Sequence, residues 1–152
     1  MKKVLILTLV LTLALSTVVF ATAVTEPLPA VPSGVTGVTV YINNAYLDCS
    51  VYGQNAFIKD DRTLVPLRAI FEALGATVEW NDPTVTANKN GINISLQIGS
   101  NEMYVNGEVK TLDVPAKLMN DRTFVPIRAV SEAFNCTVNW YDSNQYIEII
   151  EN

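Results

Sequence analysis

The 152-residue sequence contains no histidine. Histidine is the side chain that most often acts as a general base near neutral pH, and it is the commonest ligand of catalytic metals. The sequence also has no Gly-x-Ser-x-Gly elbow, phosphate-binding loop or dinucleotide fingerprint. These absences argue against an enzyme. We expect neither a cofactor nor a metal site.

Positive charge is scarce as well, with 10 Lys and Arg against 15 Asp and Glu. Without Lys2 and Lys3, eight basic residues face fifteen acidic ones, which gives a net charge near −7. Nucleic acids and anionic lipid surfaces are bound through clustered Lys and Arg. The sequence has no such cluster, so neither is expected as a partner.

Only two cysteines occur, Cys49 and Cys136, and no Cys-x-x-Cys motif accompanies them. In an oxidising compartment the pair could form a disulfide. Each cysteine also lies among apolar neighbours, where a buried free thiol is the alternative. The sequence leaves both interpretations open.

The first 23 residues have the layout of a secretory signal peptide. Lys2 and Lys3 precede an apolar run, and Ala21-Thr22-Ala23 supplies small residues for cleavage after Ala21 or Ala23. An uncleaved membrane anchor is the alternative, because the run approaches the length of a bilayer span. No later run is long and apolar enough to cross a membrane. We expect an exported protein, either extracellular or associated with the cell envelope.

Residues 24–35 are rich in proline and predict an extended linker. Residues 36–152 are long enough for one domain with a substantial core. The strongest pattern within this domain is an internal repeat at an offset of 60 residues. Residues 61–82 and 121–142 are identical at 13 of 22 positions. The repeat predicts two units, at about residues 36–98 and 99–152.

Both units predict the same order of elements. A short strand runs into Pro66 or Pro126, and each proline suits the first position of a helix. The helices, over about residues 66–74 and 126–134, end near Gly75 and Asn135, which tolerate a left-handed conformation. Such short helices do not persist alone in water, so they must pack on a sheet. We predict an α+β fold of two tandem, mostly antiparallel β units, each with one short helix packed on the sheet.

Charged residues recur on both predicted helices. Arg68 precedes Glu72 by four residues, and Arg128 precedes Glu132 by the same spacing. This order opposes the helix dipole, so the arginines are expected to have partners outside the helix. The candidate partners are Asp61, Asp82, Asp121 and Asp142. With Arg62 and Arg122 of the turns, these side chains form either a structural salt-bridge network or a site for an anionic or carboxylate ligand.

Trp80 and Trp140 end the strands that follow the helices. Each lies two residues after a valine, so the two side chains share one face of the strand. The pattern predicts that both tryptophans pack in the core. The alternative is that they are exposed platforms on which sugar rings stack.

The repeated pattern Asp-Arg-Thr-(Leu/Phe)-Val-Pro-(Leu/Ile)-Arg-Ala, followed by Glu-Ala and Val-x-Trp, resembles the copper amine oxidase N-terminal-like (stalk) domain of secreted bacterial proteins. A hairpin at Val105-Asn106-Gly107 precedes the second copy. The likeness covers residues 38–150. It implies an antiparallel sheet of about five strands twisted around a helix. It also implies a non-catalytic domain, since oxidase activity belongs to a separate domain with histidine copper ligands.

From these observations we expect a secreted, non-catalytic binding or spacer module that acts at the bacterial cell envelope. A cell-wall polymer or an extracellular protein would be its partner. Self-association is also compatible with a duplicated surface, which can contact two equivalent sites and gain avidity. The alternative is a soluble accessory or inhibitor domain for an extracellular enzyme.

Overall fold

The computed structural model describes residues 30–31 and 33–152. The predicted signal peptide (residues 1–23) and most of the predicted linker (24–35) lie outside the described residues. Within the described residues, no helix has the length and apolar character needed to span a bilayer.

The described chain is dominated by short β-strands, with two α-helices between them. The helices are α1 (Leu67–Ala73) and α2 (Ile127–Ala133). Short 3₁₀ helices cover Cys49–Tyr52 and Asp142–Asn144. The strands are β1 (Thr39–Ile42), β2 (Ala45–Leu47), β3 (Phe57–Lys59), β4 (Arg62–Pro66), β5 (Thr77–Asn81), β6 (Thr84–Lys89), β7 (Ile92–Gln97), β8 (Glu102–Val105), β9 (Glu108–Thr111), β10 (Lys117–Met119), β11 (Arg122–Pro126), β12 (Cys136–Tyr141) and β13 (Tyr146–Glu151).

The strands form three sheets, with orders β12-β13-β1-β2, β10-β11-β4-β3 and β5-β6-β7-β8-β9. Neighbouring strands are antiparallel except β1 and β13, which are parallel. The predicted α+β class and its mainly antiparallel character are therefore confirmed. The single five-stranded sheet implied by the family resemblance is replaced by three sheets in the described residues.

Tight two-residue turns explain why so many strands are antiparallel. Asn106 and Gly107 have φ angles of 50° and 84°, as the predicted hairpin requires. Four other turns also place two consecutive residues at positive φ, and all use Asn, Asp or Gly, which reach this region most easily. These turns are Asn43-Asn44, Asp60-Asp61, Asn90-Gly91 and Asn120-Asp121.

The helix boundaries follow the proline and glycine positions with one small difference. Pro66 and Pro126 are the last residues of β4 and β11, and the helices begin one residue later. Both prolines have extended ψ angles because they remain in the strand ladder. Beyond the helices, Gly75 and Asn135 have φ angles of 74° and 61°, the left-handed conformation that was predicted.

The antiparallel pairing of β4 with β11 lies at the centre of the fold. Val65 faces Val125, and on either side Leu64 faces Pro126 and Pro66 faces Phe124. Exchanging each residue for its counterpart 60 positions away maps this ladder onto itself. We call residues 57–81 the first segment and residues 117–141 the second segment.

The predicted boundary between units at residues 98 and 99 does not separate the sheets. Strand β1, from the first predicted unit, pairs with β13, from the second. Strand β4 likewise pairs with β11 across the same boundary. The two predicted units are therefore joined through shared sheets.

The main core lies between the helices and the sheets. Phe71 of α1 and Phe134, which follows α2, meet edge to face with ring centroids 5.6 Å apart. Ser131 occupies the position in α2 that Phe71 occupies in α1, and it is fully buried. Its hydroxyl has no hydrogen-bond partner among the described residues. A smaller cluster of Leu64, Val114 and Phe124 forms apart from this core.

Candidate functional site

Two grooves flank the β4–β11 ladder, and each is built from both segments. Groove 1, of about 650 Å³, joins the helix start and tryptophan strand of the first segment to the turn of the second. Groove 2, of about 470 Å³, joins the helix start and tryptophan strand of the second segment to the turn of the first. Nine positions of the repeat line both grooves. In groove 1 they are Pro66, Leu67, Arg68, Val78, Trp80, Leu118, Asp121, Arg122 and Thr123. In groove 2 the residues at the same positions are Pro126, Ile127, Arg128, Val138, Trp140, Ile58, Asp61, Arg62 and Thr63.

The grooves collect most of the charged and aromatic residues that the sequence singled out. Groove 1 brings together Arg68, Glu72, Trp80 and Arg122. Groove 2 brings together Arg62, Arg128 and Trp140. Glu132 does not line groove 2; it borders a separate depression beside the β8–β9 hairpin. Residues about 40 to 80 positions apart in the chain thus meet because β4 pairs with β11.

The prediction that both tryptophans pack in the core is wrong for Trp80. Its side chain is 44% exposed, and Val78 on the same face is only half-buried. Strand β5 is an edge strand, and this face of it lines groove 1. Trp140 is half-buried against the core, and its indole N–H donates to Asp142 Oδ1 at 2.5 Å. Only Trp140 fits the predicted core role in part.

The prediction that Asp61, Asp82, Asp121 or Asp142 supplies the carboxylate partner of a helix arginine is also wrong. Arg68 Nε lies 3.6 Å from Glu72 Oε1, and Arg128 Nη1 lies 3.5 Å from Glu132 Oε1, so the carboxylates that both arginines contact belong to their own helices. Arg128 Nη1 also donates to the backbone carbonyl of Val138 at 3.1 Å, so this arginine has a partner outside its helix, as predicted. Neither Asp61, Asp82, Asp121 nor Asp142 forms a salt bridge in the described part of the chain. Asp61 and Asp121 are turn residues at positive φ, and their backbone carbonyls accept hydrogen bonds from Arg62 and Arg122.

Arg62 and Arg122 are counterparts in the repeat but have different partners. Arg62 Nε donates to Asp113 Oδ2 at 2.6 Å. Arg122 Nε instead donates to the carbonyl of Tyr52 at 3.1 Å. The counterpart of Asp113 is Gly53, where a Cβ would lie 3.4 Å from Arg122 Nε. Over residues 30–31 and 33–152, Arg122 has no carboxylate partner.

Two further polar groups line groove 1. The Tyr52 hydroxyl donates to Glu72 Oε2 at 2.9 Å, and this hydrogen bond raises the pKa of Tyr52. Thr123 is buried, and its hydroxyl has no hydrogen-bond partner in the described structure. Thr123 lies in the repeated Asp-Arg-Thr motif, so the repeat could have identified it. Gly53 and Asp113 lie outside the stretch in which the two copies of the repeat are most similar, and no sequence pattern marks them.

The described residues contain neither a cluster of metal ligands nor a disulfide. No group of three or more His, Cys, Asp or Glu side chains there could hold a metal ion. Cys49 and Cys136 are free and buried, so the structure contains the two thiols rather than the disulfide. Burial raises the pKa of the Cys49 thiol to about 12. A thiol with that pKa is protonated near neutral pH and is a poor nucleophile.

Comparison with characterised sequences identifies a relative that is larger than this chain. The chain is 36% identical over 104 residues to a protein named "Protease inhibitor" from Brevibacillus choshinensis. The aligned region is 63% of this chain and 32% of the relative. The chain therefore spans about a third of the length of that relative.

Residues 41–149 match the family described as copper amine oxidase N-terminal domain. This range contains both segments and every residue that lines the two grooves. It also agrees with the resemblance seen in the repeated motif. The chain belongs to the copper amine oxidase N-terminal domain family.

Proposed function

We propose that this chain is a non-catalytic binding module of the bacterial cell envelope and that groove 1 is its binding surface. The observation that carries the proposal is the exposed ring of Trp80 beside charged side chains in one groove. The predicted signal peptide supports export. The absence of histidine from the sequence supports a role without catalysis.

The lining of groove 1 suits a ligand that presents both a flat apolar face and hydroxyl groups. An exposed indole ring offers a flat, apolar and electron-rich surface on which the C–H face of a sugar ring stacks. Arg68 and Arg122 donate hydrogen bonds, and Glu72 and Asp121 accept them. A sugar hydroxyl both donates and accepts, so a wall glycan can satisfy both kinds of group.

The internal repeat supports this assignment through the way the groove is built. We interpret the chain as two copies of one unit, each of which supplies half of each groove. The β4–β11 ladder then fixes the arginine turn of one copy against the tryptophan strand of the other. A site on paired strands is held more rigidly than one on loops alone.

Retention on purified Gram-positive cell wall tests the proposal. We expect the protein to co-sediment with wall material, and Trp80→Ala to reduce retention at least about tenfold through loss of the stacked ring. Tyr104→Ala is the matched control, because Tyr104 is 43% exposed but lies outside both grooves. No retention of the parent protein, or equal losses in both variants, would contradict the proposal.

A second candidate function is that of an accessory or inhibitor domain for an extracellular enzyme. The relative named "Protease inhibitor" favours it, although only about a third of that protein is aligned. The test is residual activity of serine, cysteine and metallo-proteases titrated with the purified chain. Stoichiometric inhibition of one class would support this candidate. Full activity of all three classes at a tenfold excess of the chain would count against it.

A further inference from the structure

We infer that groove 1, and not groove 2, is an open carboxylate site, and that its ligand is an acidic sugar. Arg122 binds the carboxylate while the sugar ring stacks on Trp80. This inference rests on the proposed binding function and names the class of ligand. The evidence is the difference between two grooves that the repeat would otherwise make equivalent.

Arg122 is held in a fixed orientation with part of its guanidinium unused. Its Nε donates to the Tyr52 carbonyl at 3.1 Å, and its Nη1 donates to the Asp121 carbonyl at 3.2 Å. A guanidinium has five N–H groups, so three remain for a ligand. Both partners are neutral carbonyls, and no carboxylate of the described chain lies within salt-bridge distance of Arg122. Its positive charge is therefore available to an anion.

Groove 2 is closed to the same ligand by Asp113. The carboxylate of Asp113 accepts from Arg62 Nε at 2.6 Å and so neutralises the charge that an incoming carboxylate would need. It would also repel that carboxylate. In groove 1 the corresponding residue is Gly53, which has no side chain to do either.

Thr123 supplies a second difference between the grooves. Its buried hydroxyl lies in the wall of groove 1 next to Arg122 and has no partner in the part of the chain that the structure describes. A buried hydroxyl without a partner is costly in an unliganded protein. Its counterpart Thr63 is only half-buried and can be hydrated. The two grooves therefore differ at this threonine as well as at Gly53 and Asp113.

The charges around Arg122 favour an acidic sugar over a polyacidic peptide. Arg68 and Arg122 in groove 1 are balanced by Glu72 and Asp121. A ligand with several carboxylates would be repelled by these two acids. A sugar acid carries one carboxylate for Arg122, hydroxyl donors for Glu72 and Asp121, and a ring for Trp80. It therefore matches each kind of group in the groove.

The sequence has two tryptophans, and each groove contains one of them, so binding in each groove can be followed through its own tryptophan. The first experiment is an NMR titration that follows both indole N–H signals. N-acetylmuramic acid is the acidic probe, and N-acetylglucosamine is the matched neutral sugar. We expect the acidic probe to shift the Trp80 signal alone and to bind about tenfold to a hundredfold tighter than the neutral sugar.

Arginine variants test the role of Arg122 directly. Arg122→Gln is expected to remove the preference for the acidic probe, whereas Arg62→Gln, in groove 2, should leave it unchanged. Equal affinities of the parent protein for the two sugars would overturn the inference. Equal effects of the two arginine substitutions would overturn it as well.

Opening groove 2 is a more demanding test. Asp113→Ala frees Arg62, so the acidic probe should now shift the Trp140 signal in addition to that of Trp80. A Trp140 signal that stays in place would contradict the role given to Asp113. The reverse substitution, Gly53→Asp, is unsuitable because Gly53 has a φ of 100°, where a side chain strains the backbone.

Two comparisons separate this inference from the proposed function. Tighter binding of a dipeptide with a free C-terminal carboxylate than of N-acetylmuramic acid would replace the sugar with a peptide and overturn the ligand class. Wall retention that depends on Trp80, without any preference for the acidic sugar, would overturn the inference and leave the proposed function standing. Binding of the acidic sugar without wall retention would overturn the proposed function at the cell envelope and leave the carboxylate site standing.

Discussion

Grooves 1 and 2 share the Asp-Arg-Thr turn, the helix start and the Val-x-Trp strand, yet their arginines have different electrostatic surroundings. Arg62 is paired with a carboxylate, whereas the partners of Arg122 among the described residues are backbone carbonyls. The difference arises at Gly53 and Asp113, outside the most similar part of the repeat. Equivalent motifs therefore do not produce equivalent sites when the neighbouring residues differ.

The same lesson applies to the helices. Phe71 fills the core beneath α1, whereas the equivalent Ser131 is buried and its hydroxyl has no partner in the described part of the chain. Phe134 reaches across to Phe71 and supplies aromatic packing from one turn further along. The aromatic ring in the core thus comes from within α1 in the first segment and from the residue after α2 in the second.

The largest expected effect tests this difference between α1 and α2. Phe71→Ala removes a fully buried ring and should lower the free energy of unfolding by about 3–5 kcal/mol. Ser131→Ala is the matched change, and its free energy of unfolding should stay within about 1 kcal/mol of the parent, because the hydroxyl it removes forms no hydrogen bond within residues 30–31 and 33–152. Urea unfolding measures both. Similar losses in the two variants would show that the helices contribute equally.

The next largest effect on the free energy of unfolding is expected from Cys49, in the 3₁₀ helix beside α1. Cys49 is only 3% exposed. Burial raises the Cys49 pKa from its ordinary value of 9.0 to about 12 in the folded protein. The unfolded chain therefore loses the thiol proton first, and stability is full below pH 9 and decreases as the pH rises toward 12. The decrease from this group is about 1.4 kcal/mol per pH unit.

Unfolding curves measured between pH 8 and pH 11 check the contribution of Cys49. Cys49→Ser is the control, since a serine hydroxyl does not titrate in this range. The slope of stability against pH should be smaller in the variant than in the parent. Identical slopes would mean that Cys49 is accessible in the folded protein.

Substitution of the residues that end the helices is expected to change the free energy of unfolding by about 1 kcal/mol. Gly75 and Asn135 both have positive φ, and a Cβ on Gly75 would have no neighbour within 4 Å among the residues that the structure describes. Gly75→Ala should destabilise by about 1 kcal/mol through backbone strain alone. Asn135→Gly should stabilise by about 0.5 kcal/mol, since glycine adopts this conformation more easily. Thermal unfolding distinguishes the two signs, and destabilisation by both would mean that the Asn135 side chain has its own role.

The smallest effect concerns the ion pair that distinguishes the grooves. Arg62→Gln breaks an exposed pair with Asp113 and should cost about 0.2–1 kcal/mol at low salt and less in 1 M NaCl. Arg122→Gln should show little dependence on salt, because Arg122 has no carboxylate partner among the described residues. Stability of both variants at two salt concentrations provides the measurement. A salt dependence shared by both would remove the electrostatic distinction between the grooves.

The sequence by itself determined the local elements of this protein. Asn-Gly and Asp-Asp pairs specify the hairpin turns, and Pro66 with Gly75 bounds α1, because backbone preferences act within a few residues. The repeat also identified most of the side chains that line the grooves. These features need no knowledge of distant contacts.

Only the tertiary structure decided how these elements combine. The β4–β11 ladder places Arg122 beside Trp80, although the two are far apart in sequence. The same packing exposes Trp80, which alternation assigned to the core, and sets Asp113 beside Arg62 but Gly53 beside Arg122. Burial and pairing depend on which strands become neighbours, and a local pattern contains no information about that choice.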